Sequence, residues 1–133
     1  MHKGFLKTAA LLGALSVILG AFGAHGLKKV VADANVLQVY ETAVRYQFYH
    51  VFALLFAGIL YKQFPGTMMQ WAGRLFIAGT IIFSGSLYIL TWLKASGTEG
   101  YNWVGAITPI GGVLFIIGWL CLFISFSKST AVN

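Results

Sequence analysis

Acidic residues are nearly missing from this chain: Asp33, Glu41 and Glu99 are the only ones among 133 residues. A Ser–His–Asp triad or a working pair of carboxylates needs acids to spare, so an enzyme of that kind has little to be built from. Cysteine is a single residue, Cys121, set in the apolar stretch GWLCLFI. That excludes an intrachain disulfide, and without a base nearby Cys121 reads as a small buried or lipid-facing side chain. The histidines show no HxxxH spacing and no CxxC occurs, so neither a metal nor any other cofactor is expected. Charge of either sign is scarce, at 9% against roughly 25% in an average soluble domain. Internal repeats and low-complexity segments are absent too, which leaves a pseudo-symmetric transporter without support.

What the chain does have is apolar surface: 59% of its residues are hydrophobic. A soluble domain this short keeps much of its surface wet and has nowhere to hide so much. Lipid is therefore the expected solvent, and membrane lipids the expected partners. The net charge of +6 does not point to nucleic acid. Lys3, Lys7, Lys28, Lys29, Lys62, Arg74, Lys94 and Lys128 flank apolar runs instead of forming one basic stripe. At such places their stems lie along lipid and their heads reach water.

A spanning helix needs about 20 mainly apolar residues, and the chain offers four, near 5–27, 43–62, 71–93 and 103–126. The expected fold is all-α, a single four-helix bundle integral to the membrane. Trp71, Trp92, Tyr101 and Trp103 fall near span ends, as interfacial aromatics do. The first span also resembles a signal peptide, with Lys3 and Lys7 before it and AFG ahead of Ala24. Its small residues favour a retained helix. Ala9, Gly13, Ser16, Gly20 and Gly23 recur at alternating steps that draw one seam down a helix, and such a seam lets backbones approach in lipid. Ser84, Gly85 and Ser86 supply small residues to the third span. Pro109 should kink the fourth, with Thr108 back-bonding to a carbonyl and Gly111 and Gly112 admitting a neighbour.

Between the first two spans, VVADANVLQVYETAVRYQFYH carries Asp33 or Asn35 as a helix cap and then helical spacing. An amphipathic surface helix is expected in this loop, running into the second span near Ala43 or bending there. Glu41 and Arg45 stand four apart, in the favourable order for an ion pair. Four spans put both termini on one side. Lys3, Lys7, Lys62, Arg74 and Lys128 fall there, against Lys28, Lys29, Arg45 and Lys94 opposite; this small bias gives cytoplasmic termini as the expectation, with dual insertion as the alternative. The opposite face gathers His25, Lys28, Glu41, Arg45, Tyr46, Gln47, His50, Tyr88, Asn102 and Thr108.

Ionisable groups at membrane depth are functional suspects because each is costly without a partner. A plainer account covers His25: with Gly26 and two lysines it makes an ordinary helix C-terminus. On a helical wheel His50 lies nearly opposite Glu41 and Arg45, so the three converge only if the helix bends.

LGAFGAHGLK, ETAVRYQFYH, FSGSLY and GAITPIGG, in that order, resemble the family of small bacterial membrane proteins known as domain of unknown function four-two-three. The resemblance runs from about Leu11 to Trp119. It implies a four-span protein of the bacterial inner membrane and carries no activity and no catalytic residues. The family's motifs fall on His25, Glu41, Arg45, Tyr46, Gln47, His50, Ser84, Tyr88, Thr108 and Pro109.

Two functional expectations follow. The first is a non-enzymatic membrane protein whose polar cluster (His25, Glu41, Arg45, Tyr46, Gln47, His50, Asn102 and Thr108) organises the bundle or binds a partner or lipid headgroup. Arg45 would meet an anion or pair with Glu41 in the interior, and breaking such a buried pair costs about 3–5 kcal/mol. The second is a small transporter or channel using the same residues, with a homo-oligomer as its expected form.

Overall fold

The computed structural model describes residues 1–129. They form an all-α membrane four-helix bundle: α1 (Lys3–Val30), α2 (Ala34–Leu60), α3 (Thr67–Ala95) and α4 (Asn102–Ser129). All four are long and apolar enough to cross a bilayer. Large apolar side chains stay exposed around the bundle, among them Leu11, Ile18, Phe56, Ile81, Ile116 and Phe123. In water that surface would drive aggregation; in lipid it is the outer wall.

Local chemistry sets the helix ends. The His2 side chain accepts from the Phe5 amide at the start of α1, and the His2 amide bonds the Gly58 carbonyl at 2.8 Å. The second bond ties the beginning of α1 to the far end of α2. Asp33 caps α2 by accepting from the Asn35 amide. At the end of α3 the Gly97 and Thr98 amides return to the Lys94 and Leu93 carbonyls, with Gly97 at φ 68°. That closure needs the left-handed backbone glycine adopts freely.

The amphipathic stretch before the second span is not a separate element. It forms the first turns of α2 and continues into the span without a break, leaving only residues 31–33 as the connection. This lengthens α2 toward its start and puts Gln47 midway along it. Residues near 45–50 therefore lie deeper than a helix starting at Ala43 would put them. Pro109 likewise stands inside α4, which runs through it uninterrupted.

The small-residue seam of α1 packs on α2. Ala9, Ser16 and Gly23 are buried, while Gly13 faces Val51 and Gly20 faces Val44. An added Cβ at Gly23 would stand 2.5 Å from the Tyr40 ring. Two apolar clusters fill the interior. The larger, near the termini, joins Phe5, Ala9, Leu54, Ala57, Met69, Phe76 and Phe115. The smaller, at the opposite end, is built on Leu27, Val31, Val36 and Tyr40.

Candidate functional site

Polar groups inside the bundle pair off across the helices. Gln47 is only 2% exposed. Its amide nitrogen donates to the Leu12 carbonyl of α1 at 3.2 Å, and its amide oxygen accepts from the Tyr88 hydroxyl of α3 at 2.9 Å. The Leu12 carbonyl also accepts from Ser16. One turn nearer the connection, Ser84 of α3 donates to the Ala43 carbonyl of α2 at 2.8 Å, and two turns nearer, Tyr40 donates to the Leu19 carbonyl at 2.6 Å. A strut of hydrogen bonds thus joins α1, α2 and α3 near mid-depth, where water supplies no alternative partner.

His50 belongs to a different contact, between α2 and α4. Its ring stacks on Phe115 at 3.4 Å between centroids, with Phe76 and Trp119 closing the sides. The Tyr46 carbonyl can only accept, so Nδ1 donates to it at 2.8 Å. The Trp119 indole can only donate, so Nε2 accepts from it at 3.2 Å. Both nitrogens are engaged, and the pattern requires the neutral Nδ1–H tautomer. Between α3 and α4, Ser86 gives its proton to the Phe83 carbonyl and receives that of Thr108 at 2.7 Å. Thr108 therefore bonds across to α3.

The charged residues are elsewhere. Glu41 and Arg45 are exposed on the outer side of α2, and neither forms an ion pair among the described residues. The expected buried pair is replaced by two open charges. With Lys28 they border a groove of about 220 Å³ between α1 and α2, floored by Gly20, Gly23, Ala24, Tyr40 and Val44. Gly20 and Gly23 bring α1 close against Val44 and Tyr40 along the groove's floor. Arg45 stands about 16 Å along the axis from Ala34, three turns into α2. Helical side chains lean toward the helix N-terminus, which carries Arg45 up the groove toward Glu41 and the connection.

The residues expected to cluster are thus divided. Gln47 and Tyr88 share the strut, His50 lies in the aromatic slot, and Thr108 joins Ser86. Glu41 and Arg45 share the groove with Lys28. Tyr46 is 39% exposed and stacks on Phe83. His25 is exposed in a π turn, Gly23–Leu27, where its Nδ1 donates to the Ala21 carbonyl at 3.1 Å. Asn102 is exposed at the start of α4. Among the described residues no three metal-ligating side chains come together. Sequence reasoning missed Tyr40 and Trp119, and read Ser16 as a seam residue only. The signal for Tyr40 was present: it lies seven residues before Gln47, two helical turns along the same face.

Long apolar helices, an interior closed by hydrogen bonds and a lipid-facing wall define a polytopic integral membrane protein. The chain belongs to the family described as "Protein of unknown function (DUF423)", whose profile matches residues 19–112. That interval holds the groove and, apart from Leu12 and Ser16, the strut. The chain is 48% identical over 129 residues to a UPF0382 membrane protein of Staphylococcus aureus (strain bovine RF122), covering 92% of this chain and 98% of the relative. It is 45% identical to one from Staphylococcus haemolyticus, over 95% of this chain and 97% of that one. It is 42% identical to the UPF0382 membrane protein YwdK of Bacillus subtilis, over 95% and 98%. None of these names describes an enzyme. No solved structure matches the chain.

Proposed function

We propose that this protein is a non-enzymatic, lipid-binding component of the bacterial inner membrane whose α1–α2 groove holds a phospholipid headgroup. One observation carries the reading: Lys28, Glu41 and Arg45 border an open groove on the outer wall and have no ion-pair partner among the described residues. Charged residues in spans ordinarily face the interior or pair with one another. Here the partner must come from outside. A phosphate meets Lys28 and Arg45 as an anion, and Arg binds it with two parallel donors. The groove's apolar floor then accepts the start of an acyl chain. The strut and the aromatic slot organise the bundle that presents this groove.

Native mass spectrometry of the purified protein tests the reading through its retained phospholipid. Arg45→Ala should lower retention about fivefold, the scale of one exposed charge contact. Because Arg45 is exposed, its thermal midpoint should stay that of the native protein. Retention unchanged in Arg45→Ala would remove the groove as the binding site.

The termini are assigned to the cytoplasmic side from the basic residues near them, which opens the groove to the outer leaflet. A C-terminal fusion active only in the cytoplasm agrees with this; one active only outside reverses it.

A further inference from the structure

Resting on the headgroup reading above, we infer that the groove selects a headgroup with a primary ammonium beside its phosphate, the phosphoethanolamine type. The reason is Glu41. A groove built for phosphate alone gains nothing from a carboxylate one helical turn from its arginine, because that carboxylate repels the anion Arg45 attracts. Glu41 nonetheless borders the same groove as Lys28 and Arg45 and has no cation paired to it among the described residues.

A headgroup with both signs resolves the arrangement. Its phosphate lies against Arg45 and Lys28, and its ammonium donates to Glu41, about 6 Å along the helix from Arg45. A glycerol headgroup offers Glu41 no positive charge. A choline headgroup offers charge without an N–H donor, and quaternary ammonium is held by aromatic cages. The groove has a single aromatic residue on its wall, Tyr40, whose hydroxyl is already given to the Leu19 carbonyl. A primary ammonium is the group the groove completes.

The test reconstitutes the full-length protein into vesicles with equal parts phosphatidylethanolamine, phosphatidylcholine and phosphatidylglycerol. The protein is re-extracted, and its retained lipid is identified by native mass spectrometry. The ethanolamine lipid should be enriched about fivefold over the choline lipid, the scale of one exposed charge contact. Glu41→Gln should return that ratio to the bulk value while total retained phospholipid holds. Arg45→Ala should lower all three lipids together. A bulk ratio in the native protein, with retention still dependent on Arg45, overturns amine selection and leaves the headgroup reading standing. Retention indifferent to Arg45 overturns both.

Discussion

Gly111→Val is expected to force α3 away from α4 and destabilise the bundle by about 3 kcal/mol, the upper range for overpacking a tight contact. A Cβ placed at Gly111 would stand 2.5 Å from the Phe83 backbone nitrogen and 2.7 Å from its Cα. Most other crowded glycines face a ring. Gly79 meets the ring of Phe115 and Gly118 that of Phe76, and a ring can turn or slide. Backbone cannot, so at Gly111 a whole helix has to move. Phe83 lies in the π turn of α3, Thr80–Ser84, the segment that also carries Ser84 to the Ala43 carbonyl. Separating α3 from α4 therefore strains the strut as well as the direct contact. Gly85→Ala is the control, since nothing lies within 4 Å of a Cβ there and alanine is the better helix former. Thermal unfolding in detergent compares the two. A Gly111→Val midpoint equal to that of Gly85→Ala would show that the close approach contributes nothing.

The four helices were legible because their boundaries are chemical. Lysines and tryptophans stand where apolar runs meet water, and Asp33 and Gly97 make terminal hydrogen bonds of recognisable type. The inward face of α2 was harder to read. In water the polar side of a helix faces out, but in lipid both the interior and the rim accept polar groups, and hydropathy no longer orients the helix. The helix carries two polar stripes, Glu41 with Arg45 and Tyr40 with Gln47 and His50, and topology placed both at one end of the bundle. Size distinguishes them. Ala43, Ala57 and Gly58 share the buried side with Gln47, and a small-residue seam on α1 needs small residues opposite. The helical wheel had already set His50 against Glu41 and Arg45. The structure turns His50 inward and leaves the two charges outside.

His50→Ala is expected to cost about 3 kcal/mol, the lower range for deleting a buried aromatic ring. The ring is 5% exposed and lies flat on Phe115, so alanine leaves a void that Phe76 and Trp119 border from fixed positions. The same change takes the acceptor from the Trp119 indole. His50→Phe separates packing from polarity: it keeps the stack and removes the hydrogen bonds to the Tyr46 carbonyl and the Trp119 indole, for about 2 kcal/mol. Thermal unfolding should therefore rank the native protein above His50→Phe and His50→Phe above His50→Ala. A coupling role for His50 in transport needs a ring nitrogen free to exchange a proton, whereas here both nitrogens are engaged. If His50→Ala unfolds with the native midpoint, the slot is not a structural joint, and the transport role regains its strongest residue. If the expected order holds, the imidazole serves as a flat, neutral piece that gives one hydrogen to α2 and takes another from α4.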